Sequence, residues 1–334
     1  HSMTEGRQIV VIGSNSFSGA SFVRHLLAGG NEVVGISRSV EPDDVFLPYR
    51  WFDHAGRFDF YALDLNSELN GIMGVLDRVQ PAYVVNFAAQ SMVAQSWDNP
   101  AHWFQTNVVA TIRLHDELRT RDYLTRYVHI TTPEVYGSTS GGIREDAPFN
   151  PSTPYAVSRA ATDMSLRTYS EAYGFPVVST RAANVFGPGQ QLYRIIPRTV
   201  LAVLAGRTLE LHGGGVSKRS FIHIDDVSAA TELIARQGSN GECYHISTNR
   251  MVSIRELVEL ICEKLGADVE QHVRVVPERV GKDVAYELDS RKLRAELGWE
   301  PVVTLEAGIE ATIDWARDNL DNLSRQPMDY AHRP

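Results

Sequence analysis

Tyr155 and Arg159 stand four residues apart in the stretch PYAVSR, a spacing that puts both side chains on one face of a helix. A tyrosine ordinarily ionises near pH ~10, and a cation one helical turn away favours its phenolate. The pair resembles the tyrosine–cation pair of an oxidoreductase, with arginine as the cation. Arginine keeps its charge permanently but relays no protons. Upstream, TTPEVYGS (131–138) follows an apolar, strand-like run and offers Thr132 and Glu134. A hydroxyl and a carboxylate at the end of a strand are suited to holding and moving protons. Pro133 between them has nothing to donate.

A second constellation lies near the start. Gly13-Ser-Asn-Ser16-Phe17-Ser-Gly19 joins a short apolar run to a helical pattern. Glycines in that place let backbone N–H groups approach a pyrophosphate at the positive end of a helix. Ser16 stands where the three-glycine pattern has its middle glycine. The next apolar run ends in Ser37-Arg38-Ser39 rather than in an acid. An acid there would accept from a ribose 2′-hydroxyl; an arginine and two hydroxyls would hold a 2′-phosphate, so the coenzyme expected is NAD(P), leaning to NADP. Asp64-Leu65 could receive the adenine, and the small Ala88 and Ala89 would let a coenzyme lie against the sheet. Each group has a plain structural alternative: Tyr155 in a core, Glu134 as a cap, Arg38 on a solvated surface.

These residues need strand ends and helix starts to hold them. Apolar runs at 7–13, 31–37, 58–63, 82–87, 126–131 and 177–181 read as strands. Helical spacing at 18–28, 69–79, 101–119 and 155–173 alternates with them. That rhythm predicts βαβ units: an α/β, Rossmann-like, doubly wound parallel sheet. The stretch 39–57 reads as long and irregular. After Asn184 the rhythm changes, with helices at 195–205, 226–236 and 253–265, a loop at 213–215 and a short strand at 221–224. The expected division is a dinucleotide-binding domain over 4–182 and a smaller mixed α/β substrate lobe over 183–323, with some interleaving. His1-Ser2-Met3 reads as the remnant of an affinity tag, and 324–334 as a loose polar tail.

The chain has 334 residues, 43% apolar and 22% charged, enough for a sizeable core. A net charge of −9 argues against binding nucleic acid or an anionic membrane through bulk charge. No apolar run of about 18 residues suggests a membrane span. Two cysteines, Cys243 and Cys262, make neither a disulfide framework nor a metal-ligand pattern, and a reducing cytoplasm is the expected setting.

Taken in order, GSNSFSG, NFAAQS (86–91), QTNVVAT (105–111), TTPEVYG, ANVFGPG (183–189), KRSFIHIDD (218–226), ERVGKDVAYELD (278–289) and LGWEP (297–301) resemble the extended short-chain dehydrogenase/reductase family. Within it the likeness is to nucleotide-sugar 4,6-dehydratases, from Ile9 to about Trp315. The AAQS and GISRS pieces look like the GDP-mannose branch and RVGKDVAYELDSRKL like the dTDP-glucose branch. The resemblance implies that Tyr155 takes the proton of a sugar 4-hydroxyl, with Arg159 supporting the phenolate and Thr132 hydrogen-bonding nearby. It implies that Glu134 removes the C5 proton, and that Asn107 belongs to the coenzyme side. Gln90 and Ser91 would line the sugar pocket; Asn184, Arg194, Arg219 and Arg279 would face the nucleotide diphosphate or base. The expected partner is an NDP-hexose, and the expected assembly a homodimer through the helices at 101–119 and 155–173. Two residues depart from the pattern: Pro133 where relatives have an acid or serine, and Arg159 where they have lysine. They keep alternatives open: a 4-epimerase, a uronate decarboxylase, a 5,6-dehydratase, or a noncatalytic nucleotide-sugar-binding member.

Overall fold

The computed structural model describes residues 8–278 and 285–334. β1 (Ile9–Ile12) runs into α1 (Phe17–Ala28); β2 (Glu32–Ser37), β3 (Arg57–Ala62), α2 (Leu69–Val79) and β4 (Tyr83–Asn86) follow. A helical segment comes next in three pieces: α3 (Pro100–Phe104), a π-helical turn (Gln105–Ala110) and α4 (Thr111–Leu118). β5 (Arg126–Ile130), a 3-10 turn (Pro133–Tyr136), β6 (Gly142–Ile143), α5 (Pro154–Tyr173), β7 (Val177–Ala182) and β8 (Asn184–Phe186) continue the chain. The second half holds α6 (Ile195–Leu204), β9 (Leu209–His212), β10 (Lys218–Arg219), β11 (Phe221–His223), α7 (Ile224–Gln237), β12 (Cys243–Ile246), β13 (Val252–Ser253) and α8 (Ile254–Lys264). Last come α9 (Val269–His272), β14 (Val273–Val276), β15 (Glu287–Leu288), α10 (Arg291–Leu297), α11 (Leu305–Asp318) and α12 (Leu320–Arg325).

Seven strands form one parallel sheet in the order β12-β7-β5-β4-β1-β2-β3. β1 and β4 are buried along their whole length, as strands covered by helices on both faces must be. Strand order reverses between β1 and β4, the place where open α/β sheets bind ligands at their carboxyl ends. One core layer joins α2, α4 and α5 to the sheet through Ile72, Leu76, Leu114 and Leu166; the other joins α1 through Phe22, Val23 and Leu26. Fully burying one such side chain contributes about 1.5–3 kcal/mol.

A second core lies among α6, α8 and α11, built on Ile196, Val200, Leu257, Ile261, Ile309 and Ile313. The irregular stretch before β3 packs there too. Trp315 Nε1 donates to the Val45 carbonyl at 3.2 Å, and its ring stacks near Trp51. The pieces IDD and LGWEP meet at Asp226: Trp299 Nε1 donates to its carbonyl at 3.1 Å, and its carboxylate accepts the N–H groups of Val302 and Val303, just beyond LGWEP, at 2.9 and 3.0 Å.

Three features differ from the expectations. The seventh strand, β12, comes from the second half and pairs with β7 in register Cys243 to Ser179. Its four residues include two polar-tipped rings and are too short for periodicity to reveal. The helix expected over 101–119 is broken by the π-helical turn. The stretch 324–334, expected to be loose, is bonded along its length, as described below.

Candidate active site

Gly13 ends β1 with φ 86°, a left-handed conformation that favours glycine. A Cβ there would lie 2.7 Å from the Ala88 nitrogen, and one on Gly19 would lie 2.2 Å from the Gly13 oxygen. The turn is therefore closed against both the end of β4 and the start of α1. Ser16 has a task of its own: its hydroxyl accepts from Gly19 N–H at 3.0 Å and donates to the Gly13 carbonyl at 2.7 Å, capping α1. Phe17 is buried behind the turn. Asn15 ties the turn to the end of β2, its N–H donating to Ser37 Oγ at 2.9 Å and its amide to the Ser39 carbonyl at 3.0 Å. A glycine turn, a capped helix start and small residues opposite fit a dinucleotide. Asp64 and Leu65 follow β3, with Leu65 in the core and the Asp64 carboxylate accepting from Asn66 N–H.

Beyond β4, Ala88 N–H donates to the Asn86 side chain at 2.9 Å, and Gln90 is clamped by Asn107. The Asn107 amide accepts from Gln90 N–H at 2.8 Å and donates to the Gln90 carbonyl and to Ser158 Oγ, each at 3.0 Å. Asn107 is thus turned inward from the π-helical turn. It holds the 88–91 loop against α5. Ser91 is exposed beside it.

The catalytic candidates gather at the carboxyl end of β5. Thr132 caps the 3-10 turn, its hydroxyl accepting from Glu134 N–H at 3.2 Å. Pro133 occupies the first position of that turn, where an N–H would have no partner and a fixed φ helps. Gly137 closes the turn with φ 68°, its N–H donating to the Glu134 carbonyl at 3.1 Å. Proline and glycine therefore frame the segment that carries Thr132 and Glu134. α5 starts behind its Thr153 cap. Tyr155 lies in its first turn, 7% exposed, with its N–H donating to Ser96 Oγ at 3.1 Å. Arg159 follows one turn on and is buried. Its guanidinium donates to the Ile130 carbonyl of β5.

One turn further, on the same stripe of α5, lies Asp163, which the sequence reading missed. Its spacing from Tyr155 and Arg159 was the available signal. The Asp163 carboxylate accepts from Thr131 Oγ1 at 2.7 Å and from Arg181 of β7 at 3.0 Å. Arg181 also donates to Tyr136 Oη at 2.6 Å, and Tyr136 Oη lies 2.6 Å from His245 Nε2. Asp163 and Arg181 thus grip both ends of the segment 131–136. His129 Nε2 lies 3.6 Å from Asp163, but burial, then the charges of Arg159 and Arg181, push its pKa well below the usual histidine range. Burial and Arg181 likewise lower His245 to about 3. Both rings are neutral, so the charged contact in this network is the buried Arg181–Asp163 pair, while the Arg159 guanidinium bonds the Ile130 carbonyl.

Glu145 closes this network near the surface, 3.5 Å from His245 Nδ1. Burial raises its carboxyl from 4.5 to about 7. A carboxyl whose pKa is raised on folding costs nothing while protonated in both states, below pH 4.5. The cost grows as pH climbs and is complete above about 7. Glu145→Gln is therefore expected to match the parent near pH 4 and to exceed it by up to about 3 kcal/mol at pH 8, read by urea unfolding across that range. Parallel stability profiles for the two proteins would refute this.

The nucleotide end is less closed. Asn184 accepts from Tyr286 Oη at 3.3 Å. Arg194 precedes α6 with its guanidinium over the Tyr193 ring. Arg219 is buried, and among the described residues its guanidinium bonds only the Lys218 carbonyl, a cation well placed for an anion. Arg279 lies outside the described residues. Arg38 and Gln90 are engaged by the last residues of the chain: Arg38 donates to the carbonyls of Arg333 and Pro334, and Gln90 to that of Arg333. His102 and Trp103 of α3, also missed by the sequence reading, hold His332. Among the described residues no cluster of His, Cys, Asp or Glu is placed to hold a metal.

Comparison with known proteins agrees with this geometry. A family model described as GDP-mannose 4,6 dehydratase matches residues 10–312. The chain is 32% identical to a dTDP-glucose 4,6-dehydratase of Xanthomonas campestris pv. campestris, over 93% of each chain. It is similar in structure to DesIV, a dTDP-glucose 4,6-dehydratase of Streptomyces venezuelae solved with NAD and TYD bound: TM-score 0.85, 34% identity, 94% of this chain and 98% of that one. A UDP-glucose 4-epimerase of Thermotoga maritima, solved with UDP-glucose, follows at TM-score 0.84 and 27% identity, covering 94% and 99%.

Proposed function

This chain belongs to the GDP-mannose 4,6-dehydratase family, and from that premise we propose that it is an NAD(P)-dependent NDP-hexose 4,6-dehydratase. It converts an NDP-hexose into an NDP-4-keto-6-deoxyhexose with loss of one water. The observation that carries the reading is the framed turn at the end of β5, which presents Thr132 and Glu134 beside the start of α5. A nicotinamide bound at the Gly13–Gly19 end would supply the hydride acceptor for C4 and the hydride donor for C6. Tyr155 takes the proton of the 4-hydroxyl, with the buried Arg159 one turn along the same helix. Thr132 orients that hydroxyl. With a ketone at C4 the C5 proton becomes acidic, and Glu134 removes it. Pro133 supplies no second acid, so the protonated Glu134 itself serves the departing 6-hydroxyl, and water leaves. Solvent then supplies the proton that C5 regains.

Glu134→Gln removes this step while leaving the turn's shape. Its turnover is expected to fall by about 10²–10⁴-fold, and incorporation of solvent deuterium at C5 to stop. Mass and proton NMR on products from a panel of NDP-hexoses check it: retained C5 exchange in Glu134→Gln would remove Glu134 from the role. Pro133 favours a second reading, a 4-epimerase, which needs oxidation and re-reduction at C4 alone. Products of unchanged mass with inverted C4 would establish it.

The finer points follow from local chemistry. Ser37, Arg38 and Ser39 at the end of β2 favour NADP through its 2′-phosphate. Asn184, Arg194, Arg219 and Arg279 are proposed to hold the diphosphate and base, and Gln90 and Ser91 the hexose. Val157, Met164 and Tyr173 of α5 and Val109 of the π-helical turn expose apolar surface, which supports a homodimer through that face. Cys243 and Cys262 are free thiols, in keeping with a reducing cytoplasm. Among the described residues no helix is long and apolar enough to cross a membrane.

A further inference from the structure

Residues 328–334 cross from the nucleotide end of the site to the coenzyme end. Met328 packs on the second core, and its carbonyl accepts from Arg198 of α6 at 2.9 Å. Tyr330 meets the Tyr193 ring edge-on at 5.6 Å, beside Arg194. His332 stacks on Trp103 at 4.5 Å, and its Nε2 lies 2.8 Å from His102 Nδ1. The Arg333 carbonyl receives two donors, Arg38 at 3.1 Å and Gln90 at 2.8 Å. The Pro334 carbonyl takes the other arm of Arg38 at 2.7 Å.

We propose that this segment is a second, internal ligand of the coenzyme groove, a strap that competes with the dinucleotide for Arg38 and Gln90. The inference rests on the reading of the Gly13–Gly19 end as the coenzyme site. Carbonyl oxygens offer a guanidinium the same kind of acceptor that phosphate and ribose oxygens offer. Both arms of Arg38 are used by the strap, so a 2′-phosphate can be gripped only after residues 333 and 334 leave. Arg38 and Gln90 flank the strand ends over which the coenzyme must lie, so one carbonyl bonded to both bars that path. The segment is tethered at Met328, which keeps its effective concentration at the groove high without further contacts. Its contacts are the His332 ring against His102 and Trp103, the Tyr330 ring against Tyr193, the Arg198–Asp329 ion pair, and backbone carbonyls that accept from Arg198, Arg38 and Gln90. The strap therefore lowers apparent coenzyme affinity by the fraction of molecules it closes. It also reaches Tyr193, so it clears the nucleotide end in the same movement.

The test compares the full chain with one ending at Met328, and with His332→Ala, which loses the ring's contacts with Trp103, His102 and Tyr330. Titration with NAD+ and NADP+ by calorimetry is combined with hydrogen exchange of the peptides covering 36–40 and 88–91. The shortened chain is expected to bind coenzyme about 10-fold more tightly, as follows if the strap closes about nine molecules in ten, with His332→Ala between the two. Without coenzyme, the two peptides are expected to exchange faster in the shortened chain. Equal affinity and equal exchange in all three, with coenzyme still protecting both peptides, would overturn the strap and leave the coenzyme site standing. Coenzyme that protects neither peptide in any chain would instead overturn the coenzyme reading, and the competition with it.

Discussion

Replacing Tyr155 by phenylalanine is expected to abolish turnover, by about 10³–10⁴-fold in kcat, while coenzyme and nucleotide binding stay near parental values. The ring is 7% exposed, and among the described residues no hydrogen bond from its hydroxyl holds the fold together: Ser96 accepts from the Tyr155 backbone, which phenylalanine keeps. Folding should therefore survive. What is lost is the acceptor for the 4-hydroxyl proton, and without it hydride cannot leave C4. Single-turnover absorbance of the reduced nicotinamide reads that step directly. A Tyr155→Phe protein that still reduces its coenzyme at more than about a tenth of the parental rate would disqualify Tyr155 as the base.

The second large effect concerns stability. Asp163→Ala leaves the buried Arg181 without its carboxylate partner, and breaking a buried ion pair from one side costs about 3–5 kcal/mol. Thr131 loses its acceptor in the same stroke, so the turn bearing Thr132 and Glu134 loosens. Urea unfolding measures the first consequence and C5 exchange the second. An apolar pair often replaces a buried ionic one at little cost, so Asp163→Leu combined with Arg181→Met is expected to recover most of the stability. It is not expected to recover turnover, because the grip on the turn is gone. Full activity in that double variant would show that the pair serves the fold alone.

Much of this was legible in the sequence. The strands of the first half announced themselves as short, largely apolar runs alternating with helical spacing. The helix at 154–173 followed from its spacing, and the Gly13–Gly19 turn from its place between a strand and a helix. Pro133 read as a missing acid; in the structure it is also the residue that sets the turn. What stayed hidden depends on partners distant in sequence. β12 is a strand because β7 lies beside it. Asp163 matters because Arg181 and Thr131 converge on it from two neighbouring strands. Asn107 faces inward only because its helix departs from regular winding, which no periodicity could signal. The segment 324–334 carries little apolar pattern, and its partners, Trp103, Tyr193, Arg38 and Gln90, lie far away in sequence, where periodicity is blind.

That irregular winding has an implication for length changes. The turn Gln105–Ala110 holds one residue more than a regular helix of the same height would need. Deleting a single residue between 106 and 109 would let 100–118 wind without interruption, and as an isolated helix it would be no worse. Yet the half bearing His102 and Trp103 would rotate by about 100° against the half that packs on the sheet. The surplus residue works as a phase shifter: it lets one continuous rod present its apolar stripe to the sheet at one end and its aromatic stripe to the groove at the other.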